Sequence, residues 1–274
     1  MSESLAIDFL YKTALGRFFL KGLVNPVVSE YAAKFLSSRV SAGIIPFFIK
    51  RNKININEFV IPEGGYKSFN DFFTRRIKPE NRVIAEGELI SPCDGYLTVS
   101  NINEKSVFHI KNTSYSLKNL LGNECMANEF TGGTALIFRL TPSHYHRYVF
   151  CTSGIVERTK RIQGILHSVK PICHDKYPVF IQNTREYTVL NNVNLGDLVQ
   201  MEVGALLVGK ISNKRYARGE EICAGQEKGY FEYGGSSIVV LTKFRLDKKK
   251  LKRGRVRLHG GIPVKMGEVL IRNV

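Results

Sequence analysis

The chain has 274 residues, enough for one large domain or two small ones, and its formal net charge is +16 at pH 7. So basic a chain favours an anionic partner, namely a nucleic acid, an acidic protein or an anionic membrane surface. The five cysteines lie far apart without CxxC spacing, which indicates neither a zinc site nor a disulfide framework and favours reduced, buried thiols. No uncharged apolar stretch is long enough to predict a membrane span.

The N-terminal region predicts helices. Apolar residues recur at the helical period from Ile7 onward, Pro26 breaks the pattern, and residues 27–41 favour a second helix. An apolar run over residues 44–49 adjoins the basic residues Lys50, Arg51 and Lys53. Two interpretations stay open here: a helical cap packed on the core, or a basic and apolar surface that lies in a membrane interface.

A change of pattern divides the rest of the chain. Residues 69–79 predict a short helix with inward-facing aromatic side chains, ended by Pro79. From Val83 onward, short β-type runs alternate with Gly, Asn and Pro turns, which predicts a mostly antiparallel β domain. The expected fold class is therefore α+β, with helices in residues 1–80 and a β-barrel or sandwich in residues 81–274.

The segment 227–241 holds two β-type runs that meet at Gly234 and Gly235, which predicts a hairpin. The Gly-Ser bond beside it also suits a reaction. A serine hydroxyl held over the preceding carbonyl carbon can attack it in an N→O acyl shift, and glycine permits that close approach. Removal of the serine α-proton then eliminates the ester and cuts the chain, and hydrolysis of the resulting dehydroalanine releases ammonia. The product is a pyruvoyl group, an electrophilic carbonyl that condenses with amines.

Three stretches carry a family resemblance: Ser-Pro-Cys-Asp-Gly at 91–95, His-Tyr-His-Arg at 144–147, and Lys-Gly-Tyr-Phe-Glu-Tyr-Gly-Gly-Ser-Ser-Ile-Val-Val-Leu at 228–241. The last resembles the processing site of the phosphatidylserine decarboxylases, which are pyruvoyl enzymes. With further segments that agree in order, the resemblance covers nearly the whole chain. It implies self-cleavage between Gly235 and Ser236, a pyruvoyl cofactor derived from Ser236, and conversion of phosphatidylserine to phosphatidylethanolamine and carbon dioxide.

The same resemblance implies roles for individual residues. Asp94 is expected to assist self-processing. His146 is expected to protonate the carbon left after decarboxylation, and Arg147 to hold an anionic group, with a structural ion pair as the alternative. The cleaved large and small chains, residues 1–235 and 236–274, are expected to stay together because residues 238–241 predict a core strand.

Two departures from the family pattern affect the base that starts the cleavage. His144 stands where the family usually has an aspartate. Val149 stands where many relatives have the histidine of an Asp-His-Ser relay. The base is then His146, His144 or a histidine brought from elsewhere, such as His167, which lies in a segment similar to one of the family. The candidate catalytic residues are Asp94, His146, His167 and Ser236, with no metal expected.

A lipid substrate implies work at a membrane. Residues 243–257 hold nine Lys or Arg against the single acid Asp247. Only one aromatic residue, Phe244, lies among them, and this low aromatic content favours anionic lipid over nucleic acid. We therefore expect a peripheral membrane protein on the cytoplasmic side, with phosphatidylserine in an anionic membrane as its partner. A homodimer is left open.

Rival functions come from other classes. Val149 gives weight to an unprocessed, non-catalytic membrane-surface binding protein of the same fold, because a fold does not determine a function. Charge alone supports a nucleic-acid-binding protein. A pyruvoyl decarboxylase for another amino acid is the third rival. An uncut chain would favour the binding protein.

Overall fold

A computed structural model describes residues 26–110, 113–166, 181–204, 210–234, 236–247, 251 and 260–272. Three parts of the sequence-based predictions lie outside these residues: the helix predicted before Pro26, the candidate base His167 and the scissile residue Gly235. Most of the basic stretch 243–257 lies outside them too.

The helices that the structure delimits are short. They are α1 Pro26–Leu36, α2 Ile45–Asn52, α3 Phe69–Phe73, α4 Leu117–Leu121 and α5 Glu124–Glu129, with 3₁₀ turns at Arg39–Ile44, Ile56–Glu58 and Pro79–Asn81. Helix α3 begins after Ser68, whose hydroxyl accepts the backbone N–H of Asp71. The helix predicted over 69–79 therefore starts where expected but ends at Phe73, well before Pro79.

The strands lie from residue 89 onward, which agrees with the predicted β domain. They are β1 Leu89–Ile90, β2 Gly95–Asn101, β3 Val107–Ile110, β4 Thr113–Ser116, β5 Thr134–Leu140, β6 Arg147–Val149, β7 Gly154–Ile162, β8 Ile165–Leu166, β9 Ile181–Gln182, β10 Arg185–Asn192, β11 Gly196–Val203, β12 Ile211–Asn213, β13 Glu221–Ile222, β14 Glu227–Phe231, β15 Ser236–Thr242, β16 Ile262–Val264 and β17 Val269–Ile271.

Most of these strands form two sheets. The large sheet has eight strands in the order β13-β7-β10-β11-β15-β5-β2-β16, and a three-stranded sheet has the order β12-β14-β6. Every pairing within them is antiparallel, as expected. The predicted barrel is wrong: in the part of the chain that the structure describes, the large sheet stays open between β13 and β16.

The two sheets enclose an apolar core. Its side chains include Leu97, Phe138 and Ile238 from the large sheet and Tyr148, Ile211 and Phe231 from the small one. A second core on the other face of the large sheet contains Val239 and Leu241, together with residues of α4 and α5. Strand β15 is buried on both faces, which explains its unbroken apolar run.

The hairpin predicted at Gly234 and Gly235 is wrong. Strand β14 pairs with β12 and β6 in the small sheet, whereas β15 pairs with β11 and β5 in the large sheet. The chain therefore passes from one sheet to the other between Phe231 and Ser236. Runs of β-type residues around glycines suit both arrangements, and strand partners far along the chain decide between them.

The N-terminal helices pack on the core with one face and expose the other. Ile45 and Phe48 contact the aromatic cluster of α3. The opposite side exposes large apolar side chains, namely Tyr31, Phe35, Val40, Ile44 and Phe47. No single described helix is long and apolar enough to cross a membrane; the stretches Glu30–Leu36 and Arg39–Asn52 reach that length and composition only together, and they are bent by 70°.

The four described cysteines are free thiols. Cys93 and Cys151 are buried, as expected, but Cys125 and Cys223 are exposed, so the expectation of buried thiols is wrong for these two. Cys125 lies on the short surface helix α5, and Cys223 lies in the turn after β13.

Candidate active site

Ser236 is the first residue of the central strand β15 and is 1% exposed. Its Oγ donates a hydrogen bond to the carbonyl oxygen of Gly234 at 3.1 Å. The hydroxyl is therefore turned back along the chain, towards the peptide bond that was predicted to be cut. Gly234 has φ of 143°, a conformation that glycine adopts without strain.

Sheet register brings Asp94 to the same edge as Ser236, meaning the side of the large sheet at which β15 and β2 begin and β5 ends. Ser236 lies opposite Leu140 at the end of β5, and the next strand, β2, begins at Gly95. Asp94 directly precedes that strand, so two strand spacings of about 4.8 Å each separate it from Ser236 across the sheet. The residues after β5, which include His144 and His146, emerge at this edge as well.

The carboxylate of Asp94 is buried and bound on both oxygens. Arg82 donates from Nε to Oδ1 at 2.9 Å and from Nη2 to Oδ2 at 2.6 Å. The backbone N–H of Met266 donates to Oδ1 at 2.9 Å. Such a two-bonded ion pair allows a charged carboxylate to remain inside the protein and fixes its orientation.

His146 is 1% exposed and has a defined tautomer. Its Nδ1 lies 2.9 Å from the carbonyl oxygen of His144. Because a carbonyl only accepts, Nδ1 carries the proton, and the lone pair of the neutral ring is on Nε2. The ring of Phe73 lies 4.0 Å away between centroids. Nε2 is therefore the ring nitrogen of His146 whose lone pair can accept a proton.

His144 has the opposite tautomer. The backbone N–H of Thr141 donates to its Nδ1 at 2.9 Å, so the proton of the neutral ring is on Nε2. Burial lowers the pKa of His144, and Arg139 and Arg82 lower it further against the opposing effect of Asp94. His144 is thus held neutral, and it supplies no negative charge at the position where the resemblance places an aspartate.

Arg147 is held by protein groups. Its Nε donates to the carbonyl oxygen of Thr74 at 2.9 Å, and its Nη1 lies 3.2 Å from Oε1 of Glu227. Its guanidinium also covers the ring of Tyr230. This is the structural ion pair that the sequence left as the alternative, and contact with a substrate anion stays a prediction. Val149 is buried in an apolar cluster.

Sequence reasoning missed several charged groups around these candidates. Arg82 had no signal of its own. Arg75 belongs to the aromatic segment 69–79 that was assigned a packing role only, yet its Nη2 lies 3.5 Å from the carbonyl oxygen of His144. The buried ion pair of Lys228 with Glu202 had one weak signal, because each charge interrupts a β-type run.

An open groove of about 1100 Å³ lies beside Asp94 and His144. Its wall contains apolar side chains such as Ile54 and Met266, and the basic residue Lys265. The groove reaches Asp94 and His144 but does not include Ser236. Among the described residues, no group of three or more His, Cys, Asp or Glu is arranged to hold a metal ion.

Comparison with known proteins shows likeness over nearly the whole chain. Residues 69–272 match the sequence model of the family described as phosphatidylserine decarboxylase. The chain is 41% identical over 268 residues to phosphatidylserine decarboxylase proenzyme 2 of Clostridium acetobutylicum, which covers 96% of this chain and 90% of that protein. It is 41% identical over 242 residues to the phosphatidylserine decarboxylase proenzyme of Ruminiclostridium cellulolyticum, and the match covers 86% of this chain and 80% of that protein. The phosphatidylserine decarboxylase proenzyme of Clostridium tetani is 38% identical over 230 residues, and the match covers 81% of this chain and 77% of that protein.

Proposed function

The chain belongs to the phosphatidylserine decarboxylase family, and from this membership we propose a self-processing proenzyme that cuts itself between Gly235 and Ser236. The processed protein converts phosphatidylserine to phosphatidylethanolamine and carbon dioxide. The observation that supports this function is the placement of Ser236, a buried serine whose hydroxyl is turned back along the chain, at the edge where β2 begins directly after Asp94. The rival binding protein requires no such arrangement.

The residues around Ser236 suit self-cleavage. The Ser236 Oγ loses its proton and bonds to the carbonyl carbon of Gly235, while the C–N bond breaks and the amide nitrogen takes a proton. Loss of the α-proton of Ser236 then breaks the ester C–O bond and leaves Gly235 with a terminal carboxylate. The N-terminal dehydroalanine takes up water and releases ammonia. Asp94 supplies a fixed negative charge at this edge, and Nε2 of His146 is the atom that exchanges protons.

The pyruvoyl cofactor is part of the proposal, and the chain fits it. Ser236 is buried at the start of a core strand, so a group formed there is shielded from water and fixed in position. A pyruvoyl group supplies an electrophilic carbonyl that withdraws electrons from the bond broken in decarboxylation. To donate a proton to the carbon left after decarboxylation, His146 first takes up a proton at Nε2, because the carbonyl oxygen of His144 already holds the proton on Nδ1.

The small chain, residues 236–274, remains bound after cleavage. Strand β15 pairs on both sides with strands of the large chain, and β16 and β17 pair with β2 and β1. The N–H of Met266 also donates to Asp94. The small chain therefore contributes to the environment of a candidate catalytic residue as well as the cofactor.

We also propose peripheral binding to an anionic membrane on the cytoplasmic side. The exposed apolar side chains of α1, the 3₁₀ turn and α2 lie among the basic residues Lys34, Arg39, Lys50 and Arg51. Each basic residue near an anionic surface contributes about 1 kcal/mol, and each buried phenylalanine about 1.5–3 kcal/mol. A homodimer stays a hypothesis.

The test of processing is the intact mass of the purified protein under denaturing conditions, beside a Ser236→Ala variant. The expected result is two fragments, residues 1–235 and 236–274, with the smaller bearing a pyruvoyl terminus, while the variant stays whole. Release of carbon dioxide from phosphatidylserine but not from free amino acids then establishes the substrate. A single uncut wild-type chain would instead support the non-catalytic membrane-binding protein.

The test of membrane binding is co-sedimentation with phosphatidylcholine vesicles that contain or lack phosphatidylserine. A Phe35→Ser/Phe47→Ser double variant is expected to bind about 100-fold more weakly, or weaker still. Val193→Ser is the matched control, because Val193 is 98% exposed but lies on the β10–β11 turn. Equal binding by all three proteins would remove the N-terminal helices from the membrane contact.

A further inference from the structure

Helix α3 contacts both His146 and the chain that enters the cleavage site. The ring of Phe73 lies 4.0 Å from the imidazole of His146 and 5.1 Å from the ring of Tyr233, measured between centroids. Tyr233 lies two residues before Gly235, and its backbone N–H donates to Oδ1 of Asn70 at 3.3 Å. One short helix thus bridges the candidate proton-transfer residue and the segment that leads to the scissile bond.

The two residues after α3 extend this contact. The carbonyl oxygen of Thr74 accepts from Nε of Arg147 at 2.9 Å. Nη2 of Arg75 lies 3.5 Å from the carbonyl oxygen of His144, the same atom that accepts the Nδ1 proton of His146. The consecutive residues Phe73, Thr74 and Arg75 therefore make three contacts around His146. They contact, in turn, the ring of His146, the guanidinium of Arg147 and the backbone carbonyl of His144.

Arg75 is unusual because its charge is buried without an acid. It is 2% exposed, forms no ion pair among the described residues, and its Nε has no hydrogen-bond partner there. Its guanidinium lies between the rings of Phe59 and Phe72, at 4.2 and 4.7 Å from their centroids. The nearby carboxylates of Glu58 and Asp94 are both bound to Arg82 instead.

Burying an unpaired cation lowers the free energy of unfolding, so a functional reason is expected where a protein keeps one. Burial lowers the pKa of Arg75 to about 10, which leaves the side chain charged at neutral pH. A cation beside the carbonyl of His144 polarises that oxygen and holds it in place. The fixed oxygen can only accept a hydrogen bond, so it keeps the proton of His146 on Nδ1, and the alternative tautomer, with a lone pair on Nδ1, is disfavoured.

We propose that residues 69–75 are a positioning element for self-cleavage. Phe73 and Arg75 fix His146 in the Nδ1–H tautomer, with its lone pair on Nε2. Asn70 and Phe73 hold the residues that precede Gly235 beside His146. These residues act through His146 and do not themselves transfer a proton. The proposal rests on the proposed function, since it assigns His146 to the processing reaction.

The experiment measures the tautomer first. ¹⁵N-histidine NMR of the uncut Ser236→Ala protein distinguishes protonated from unprotonated ring nitrogens, and His146→Gln identifies the signals of His146. The expected result is a single Nδ1–H tautomer, which becomes a mixture in Arg75→Met and Phe73→Leu. Phe108→Leu is the control, because Phe108 is similarly buried but lies in the core on the other face of the large sheet.

The same substitutions in the Ser236 protein are expected to slow cleavage by about 10- to 100-fold for Arg75→Met and Phe73→Leu, as for a misplaced catalytic group. Arg75→Met keeps an apolar side chain between two rings, so a purely structural arginine would be replaced with stability kept or raised. Slow cleavage by a stable Arg75→Met protein therefore supports positioning. An unchanged tautomer in both variants, or an equal loss in Phe108→Leu, would overturn it.

The NMR result is independent of activity. If the wild-type protein is never cut, the proposed function fails, and the tautomer measurement still decides whether residues 69–75 control His146.

Discussion

The ion pair between Lys228 and Glu202 offers the sharpest test of how the two sheets are joined. Lys228 on β14 of the small sheet and Glu202 on β11 of the large sheet have side chains 2% and 0% exposed. The Lys228 Nζ lies 2.7 and 2.8 Å from the two carboxylate oxygens. The carboxylate also accepts from Asn213 at 3.0 Å and Gln200 at 3.3 Å.

We predict that Lys228→Met lowers the free energy of unfolding by about 3–5 kcal/mol at alkaline pH, the usual cost of leaving a buried charge without its partner. Burial raises the pKa of Glu202, and Lys228 opposes that rise, so removing Lys228 raises the pKa further. A carboxyl group whose pKa is higher in the folded state binds more protons there. Its contribution to stability is therefore lost as the pH rises from 4.5 through the folded pKa.

Chemical denaturation followed by far-UV circular dichroism measures this effect. The Ser236→Ala background keeps every sample a single uncut chain. The deficit of Lys228→Met is expected to be small at about pH 5 and to grow at about pH 8. The double variant Lys228→Met/Glu202→Gln removes the buried charge, so it is expected to be more stable at pH 8 than Lys228→Met alone and to lose this pH dependence. A deficit below about 1 kcal/mol at both pH values, or a double variant no more stable at pH 8 than Lys228→Met, would refute the reasoning.

Three further predictions follow from the site and the thiols. Burial lowers the pKa of His144, so the unfolded state binds more protons, and the free energy of unfolding falls as the pH drops from 6.5 through the folded pKa. His144→Asn keeps a hydrogen-bond acceptor but does not titrate. It is expected to reduce that fall when chemical denaturation is measured over a series of pH values. Native iodoacetamide labelling at neutral pH is expected to modify Cys125 and Cys223 but not Cys151, whose pKa burial raises to about 12, as peptide mass spectrometry would show. Arg82→Lys keeps the charge but loses the two parallel bonds to the candidate aspartate, and a mass-spectrometric time course is expected to show cleavage about tenfold slower; an unchanged rate would remove that ion pair from the processing reaction.

Local sequence patterns determined much of the architecture. The β-type runs from residue 83 onward predicted a mostly antiparallel domain, and the apolar run after Ser236 predicted a core strand. Both rest on side-chain periodicity, which depends on neighbouring residues alone. The family motifs marked Asp94, His146 and Ser236, and the register of the large sheet brings the strand ends beside Asp94 and Ser236 to one edge.

Tertiary structure decided what depends on partners distant along the chain. The strands on either side of Gly234 enter different sheets because their partners are β6, β12, β11 and β5, and no local pattern selects among these. The pairing of Lys228 with Glu202 spans 26 residues, and the hydrogen bond of Arg75 to His144 spans 69. Whether a charge is buried, paired or left alone is set by packing between such distant segments, so only the folded chain reveals how His146 is held.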